Sequence, residues 1–152
     1  MVEIMEETRG KDGRRNLKVA KENLVELIKD LKSKGYDHLS LITGIDRKDR
    51  LEVVYHLHNM KENEYVVVRT ETTDERMPSI SSLYASANWE EREQYDMLGI
   101  VFEGHPNLKR LFLPESWVGH PLRKNYDLSK VQYINMDEDG NDYATFDPRD
   151  GW

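Results

Sequence analysis

Four carboxylates crowd one short stretch of the chain: Glu90, Glu91, Glu93 and Asp96. Paired carboxylates at helical spacing can divide acid and base work between them, and Glu93 and Asp96 fall within a single turn. The same residues also suit a structural role. Glu90 and Glu91 would sit in a first helical turn, where the dipole favours anions, and Arg92 and Asp96 stand at i, i+4, the spacing of an intrahelical ion pair. An intersubunit salt bridge is a third use of this cluster. His105 and His120 each lie in a Gly-His-Pro triplet, 15 residues apart, and His56-x-His58 adds two more imidazoles. A proline after histidine holds the local backbone extended. A metal site needs three or four ligands, and no carboxylate stands near these histidines at ligand spacing.

Arg123 and Lys124 follow the second triplet. An arginine fork suits phosphate and carboxylate alike, but there is no glycine-rich phosphate loop beside it. The pair therefore reads as a contact for an acidic partner surface. Trp117, in a Pro- and Gly-flanked loop, reads equally as core or as an interface anchor. Trp89, in the first turn of a helix, is expected to pack inside.

Composition narrows the chemistry. The 152 residues contain no cysteine, which removes thiolate-ligated iron–sulfur clusters, cysteine-type zinc sites, disulfides and thiol catalysis from this chain. The net charge of −7 argues against nonspecific nucleic-acid binding. No apolar run reaches the roughly 18–20 residues that span a bilayer, and the first ten residues lack a signal-peptide core. The expectation is a soluble, cytoplasmic chain that meets a membrane only through partners.

The elements that must position these residues follow from periodicity. Arg15 to Val19 alternates as a short strand. Ala20, Leu24, Leu27, Ile28 and Leu31 share one face of an amphipathic helix, which Gly35 terminates. Leu39 to Ile45, the alternating run Leu51–Leu57 and the run Tyr65–Thr70 read as strands, with Asp46–Arg50 and Asn59–Asn63 as turns. Ser79 to Tyr84 reads as a short helix. Asn88 to Leu98 reads as a longer one, with Asn88 as N-cap, Glu91 three residues on and Gly99 as its stop. One helix followed by three successive strands predicts an α+β domain: an antiparallel, possibly mixed, sheet of about three to four strands backed by helices, with an extended irregular C-terminal arm.

Charge divides the rest of the chain. From Gly104 to Tyr126, Lys109, Arg110, Arg123 and Lys124 stand against Glu115, a net +3; from Val131 to Trp152 the net is −5. The predicted organisation is one domain over residues 1–130, with 1–13 a loose arm. An acidic tail over 131–152 is expected to order only on partners.

Between Asn88 and Tyr126 the chain reads Glu91-Arg92-Glu93, then Tyr95-Asp96-Met97-Leu98-Gly99-Ile100, Phe102, Gly104-His105-Pro106, Arg110, Leu113-Pro114, Trp117 and Gly119-His120-Pro121-Leu122-Arg123-Lys124. This series resembles the 30 kDa (C-type) subunit family of respiratory complex I. The resemblance implies an α+β structural subunit of the hydrophilic arm that binds no cofactor itself. It would brace the quinone-pocket subunit and the subunit bearing the terminal iron–sulfur cluster, peripherally on the inner face of the cell membrane. Glu91, Arg92, Glu93, Asp96, His105, Arg110, Trp117, His120, Arg123 and Lys124 are the expected partner-facing residues. The family's usual Leu-Arg-Lys-Asp stands here as Leu122-Arg123-Lys124-Asn125, and the chain is short at both ends relative to many bacterial members, as in an archaeal or minimal form. Equivalent subunits of F420H2 dehydrogenases and of membrane-bound energy-converting hydrogenases share the resemblance. The competing reading is a free-standing enzyme that uses Glu93 and Asp96 with His105 and His120; its mark would be one concave pocket that gathers those four side chains.

Overall fold

A computed structural model describes residues 2–150; Met1 of the expected arm and residues 151–152 of the expected tail lie outside them. The strands and helices are β1 (Glu6–Arg9), β2 (Arg15–Lys18), α1 (Leu24–Ser33), β3 (His38–Asp46), β4 (Leu51–Asn59), β5 (Glu64–Thr72), β6 (Arg76–Pro78), α2 (Ala87–Leu98), β7 (Val101–Glu103), β8 (Gln132–Met136) and β9 (Asp142–Phe146).

The branched, alternating runs form a five-stranded sheet in the order β1-β2-β5-β4-β3. The meander β3-β4-β5 is antiparallel, and β2 joins β5 in parallel, with Leu17 opposite Val68. The α+β class holds, and the sheet is mixed and wider than the three to four strands expected. One extra strand comes from the N-terminal arm. Glu6–Arg9 pairs antiparallel with Arg15–Lys18, so the arm is a hairpin rather than a loose tail. Its residues are all exposed and carry no alternating apolar pattern, which is why periodicity does not disclose it.

One face of the sheet builds the core. Leu17, Val53, Tyr55, Leu57, Val66 and Val68 pack in one cluster with Leu24, Leu27, Ile28 and Leu31 of α1. A 3-10 turn, Lys21–Asn23, leads into α1, and Gly35, at φ 96°, lets the chain turn back after it. At about 25 cal/mol per Å² of apolar surface, burial of each such Leu or Ile is worth about 1.5–3 kcal/mol.

The second layer is α2. Residues 79–84 form turns, not the expected helix: Leu83 and Tyr84 donate to the Ile80 carbonyl, and Ala87 to that of Tyr84. These turns run straight into α2, and Asn88 and Glu90 donate to Ala85 and Ser86. The first amides are thus satisfied by main-chain carbonyls. The helix starts at Ala87 after Ser86 with no side-chain cap, and Asn88 lies inside the first turn instead of heading it. Gly99, in the left-handed region at φ 75°, closes the helix as expected.

The described part of the acidic tail forms a second hairpin. Gln132–Met136 pairs with Asp142–Phe146 as a hairpin. Its turn is held by the Asp137 carboxylate, which accepts from Asp139 N (3.0 Å) and Asn141 N (2.8 Å). Asp139-Gly140 between two alternating runs is a hairpin signal.

Candidate functional site

Helix α2 is bound to the sheet through polar side chains. Gln94 accepts from Gly44 N at 2.8 Å and donates to the Ile42 carbonyl at 3.1 Å, while Glu90 accepts from Ile42 N at 3.3 Å. Their amide and carboxylate occupy the outer hydrogen-bonding edge of β3, an edge that would otherwise be open to another strand. Gly44 permits the close approach, because a Cβ there would stand 2.4 Å from Leu98 Cδ1 and 2.9 Å from Gln94 Oε1.

Glu91 points inward and is fully buried. Its carboxylate accepts from Ser79 Oγ and Ile80 N, each at 2.7 Å, and so pins the turn that precedes the helix. Burial pushes its pKa up to about 7, against the smaller opposing effect of those two bonds. The Tyr55 hydroxyl is buried in the same core with no hydrogen-bond partner.

Asp96 anchors the irregular arm. It is fully buried, and one of its oxygens accepts from the main-chain N–H groups of Leu111 (3.1 Å), Phe112 (2.7 Å) and Leu113 (3.0 Å). Its other oxygen takes Arg110 Nη1 at 2.9 Å, and Arg110 Nη2 donates to the carbonyls of Trp117 and Gly119, each at 2.8 Å. Burial raises the Asp96 pKa, but Arg110 and the three amides outweigh it and hold the group below its ordinary 3.8. Chain without regular secondary structure has backbone amides and carbonyls that need partners; here one buried ion pair supplies them for the amides of Leu111, Phe112 and Leu113 and the carbonyls of Trp117 and Gly119.

The two Gly-His-Pro triplets clamp the two ends of the same helix. His105 Nδ1 accepts from Asn107 N at 3.0 Å, so Nε2 carries the proton and donates to the Asn88 carbonyl at 2.9 Å. His120 Nδ1 donates to the Asp96 carbonyl at 2.9 Å. Eight residues of helix separate the two anchor points, about 12 Å along the axis. The imidazoles therefore do not converge, and Asp96 has no oxygen left for a substrate. The pocket expected for a free-standing enzyme using Glu93, Asp96, His105 and His120 does not form. Among the described residues no group of three or more His, Asp or Glu side chains is placed to hold a metal ion.

Several of the expected partner-facing residues are turned into the chain. Glu91 and Asp96 are sealed inside it, and Arg110 is 7% exposed. Arg92 does not pair with Asp96; it donates to the carbonyls of Lys109 and Arg110. Arg123 reaches the Leu98 carbonyl at 3.2 Å and pairs with Asp46 and Glu75. The main-chain N–H of Lys124 donates to Asp46 at 2.9 Å, which holds that carboxyl below its usual range. The Lys124 side chain stays exposed, and Glu93, His105, Trp117 and His120 are half-buried. Trp89 is corrected in the opposite sense. It is 60% exposed, because two residues turn a helix about 200° and so set it opposite Glu91. The Arg92 guanidinium lies over its ring, 4.8 Å from the centroid.

Large apolar side chains lie uncovered along the arm that these inward polar groups support. Phe112, Val118, Leu122, Leu128, Tyr133 and Met136 are exposed, Phe112 at 66% and Leu128 at 81%. Between arm and body, a cleft of about 340 Å³ is lined by Glu75, Val118, His120, Arg123 and Tyr126 among others. Residues 17–132 match the family model described as the 30 kDa subunit of respiratory-chain NADH dehydrogenase.

The chain belongs to that family.

The chain is 37% identical over 147 residues to the C-type subunit of NADH-quinone oxidoreductase from Neorickettsia sennetsu, covering 86% of this chain and 79% of the relative. With the C-type subunit from Citrifermentans bemidjiense the identity is 42% over 116 residues, 72% of each chain. With the C/D-type subunit from Phocaeicola vulgatus it is 41% over 133 residues, 76% of this chain but only 26% of that longer one. Of solved structures, the trypsin-resistant fragment (1–134) of Nqo5 is similar at TM-score 0.63 and 32% identity, covering 68% of this chain and 89% of the fragment. A chain of the membrane-bound sulfane sulfur reductase, an archaeal respiratory membrane complex, is similar at TM-score 0.73 and 26% identity, covering 81% of this chain and 77% of that one. The family was legible in the motif series. The parts played by Gln94, Asp46 and Glu75 were not, since none of them belongs to a recognisable motif. Among the described residues no helix is long and apolar enough to cross a membrane.

Proposed function

We propose that this chain is a non-catalytic docking subunit in the hydrophilic arm of a complex I-type membrane oxidoreductase. It braces the quinone-pocket subunit and the subunit with the terminal iron–sulfur cluster, contributes no redox group of its own, and sits on the inner membrane face through those partners. One observation carries the reading. The buried Asp96–Arg110 pair holds an irregular arm whose large apolar side chains face outward. Several large apolar side chains kept exposed on one segment, and held there by buried polar groups, suit a contact site. The C/D designation of the Phocaeicola vulgatus relative, carried by a single longer polypeptide, supports a D-type subunit as an immediate neighbour.

The second reading is an equivalent subunit of an F420H2 dehydrogenase or an energy-converting hydrogenase. The likeness to a chain of the membrane-bound sulfane sulfur reductase, an archaeal respiratory membrane complex, supports this reading. Affinity isolation of the tagged chain from gently solubilised native membranes tests both. The expected result is near-equal recovery of D-type and iron–sulfur subunits, with NADH, F420H2 or ferredoxin oxidation in the same fraction naming the donor. Recovery of the chain alone, with these subunits assembled elsewhere, would contradict the proposal.

A further inference from the structure

The β8–β9 hairpin has two unlike faces. Its register pairs Tyr133 with Thr145 and Asn135 with Tyr143, so these four share one face; Gln132, Ile134, Met136, Asp142 and Ala144 lie on the other. The second face meets the arm through Gln132 and Asp142, while its Ile134 and Met136 remain exposed. Gln132 accepts from Val118 N at 2.9 Å and donates to the Val118 carbonyl at 2.6 Å, and Ser116 Oγ donates to Asp142 at 2.6 Å. The first face makes none of these arm bonds, and its Tyr133 and Tyr143 are 53% and 47% exposed. Asn135 Nδ2 donates to Thr145 Oγ1 at 2.8 Å across its centre, and the exposed rings of Tyr133 and Tyr143 flank that bond.

Charge selects what can cover it. From Gln132 to Phe146 the sequence holds Asp137, Glu138, Asp139 and Asp142 and no lysine or arginine. Glu138 and Asp139 are exposed in the turn that joins the two strands. Two tyrosine rings beside free carboxylates suit a guanidinium or an ammonium group, which stacks on the rings and pairs with the acids. The chain already uses this chemistry where Arg14 lies over Tyr65 and Arg92 over Trp89. The arginines of its own basic segment are not the occupants, because Arg110 and Arg123 are committed inward to Asp96, Asp46 and Glu75. A two-stranded hairpin is marginally stable in water by itself, so a covered face is what the element needs.

We propose that the Tyr133–Tyr143 face and its acidic turn form a docking surface for an arginine- or lysine-bearing segment of a neighbouring subunit. The proposal rests on the reading of the chain as a docking subunit and adds which face meets a cationic partner.

The test uses the full chain and the D-type subunit of the same organism, with affinity measured at low and high salt. Two double variants are compared with the unaltered chain: Tyr133→Ser with Tyr143→Ser, and Glu138→Gln with Asp139→Asn. Both pairs are exposed, so circular dichroism and melting should match the unaltered chain. The expected result is a loss of about tenfold or more in affinity for the tyrosine pair, and for the acid pair a weaker low-salt affinity with a flatter salt dependence. Tyr133→Phe with Tyr143→Phe should keep most of the binding. Unaltered affinity and salt dependence in both double variants, beside clear binding by the unaltered chain, would overturn the hairpin assignment alone. Absence of binding by the unaltered chain would overturn the docking reading and this proposal together. Dimerisation of the chain that the same variants abolish would assign the face to a second copy and overturn the cationic partner.

Discussion

Asp96 and Arg110 lie 2.9 Å apart with side chains 0% and 7% exposed, and between them they bind five main-chain groups of the arm: the N–H groups of Leu111, Phe112 and Leu113 and the carbonyls of Trp117 and Gly119. Removing one member of a buried ion pair leaves the other charge uncompensated, at a cost of about 3–5 kcal/mol. Arg110→Ala should therefore lower the urea midpoint of the isolated chain sharply. Hydrogen exchange should locate the loosening in residues 109–120, with the five-stranded sheet still protected. Unchanged stability would mean that the arm is held by other contacts.

Glu91 predicts a pH dependence. Its pKa is raised from an ordinary 4.5 to about 7 in the folded chain. The native carboxyl thus keeps its proton to higher pH than the unfolded one, and folding takes up a proton in between. Stability from this group is fully present below about 4.5, falls as pH rises toward about 7, and is level beyond. The size is on the order of 3 kcal/mol at 1.36 kcal/mol per pKa unit. Glu91→Gln, which mimics the protonated acid, should flatten the slope across that window. Asp96 and Asp46 act the opposite way: their pKa values lie below 3.8, so their contribution is lost as pH falls through the acid range. Denaturant melts from pH 3 to 8 on the unaltered chain and Glu91→Gln measure both slopes; identical slopes in the two proteins would remove Glu91 as the source.

Arg123→Ala should destabilise the isolated chain, because the side chain joins the Leu98 carbonyl, Asp46 and Glu75. Hydrogen bonds to charged groups are each worth about 1.5–3 kcal/mol, less where water reaches the pair. A loss of about 1–3 kcal/mol in denaturant melts is expected; a melt superimposable on the unaltered chain would return Arg123 to the role of an exposed partner contact.

Gly44→Ala tests the seating of α2 on β3. The added methyl would meet Leu98 and Gln94 below 3 Å, and overpacking of this kind costs about 1–3 kcal/mol. The loss should appear as faster exchange at the Gly44 amide, whose acceptor Gln94 must move. A neutral substitution would show that the helix seat can yield.

The sheet was legible because its strands follow the rule that residues two apart share a face: Leu51, Val53, Tyr55 and Leu57 alternate without interruption. Helix α1 was legible from the other period, with Leu24, Leu27, Ile28 and Leu31 three to four apart on one face. Helix α2 was found by its carboxylates and its terminating glycine, but its buried face was misjudged, because Ala87, Glu91, Gln94 and Leu98 recur at helical spacing with polar residues where apolar ones are the rule. A buried Glu or Gln has the same letter as an exposed one. Only its partners, the main chain of β3 and the turn at Ser79–Ile80, distinguish the two. The inward bonds of Arg110 and Arg123 were hidden likewise: their acceptors are Asp96, Asp46 and main-chain carbonyls distant in sequence, which no local spacing reveals. The histidine triplets invited a metal reading because proline rigidity and imidazole are also what a main-chain clamp requires.

The central claim is that inward polar groups hold the arm so that outward apolar ones meet partners. Trp89 and Phe112, 60% and 66% exposed, make the most direct test through the double variant Trp89→Ala with Phe112→Ala. Truncating exposed side chains usually moves folding stability by no more than about 0.5 kcal/mol, whereas aromatic anchors at an interface cost about 2 kcal/mol or more each. The decisive measurement is the amount of the chain that co-migrates with the D-type and iron–sulfur subunits on a native gel of solubilised membranes, compared at equal expression. The account predicts an unchanged melt of the isolated variant and a large fall in the assembled band. Full assembly with an unchanged melt would contradict it.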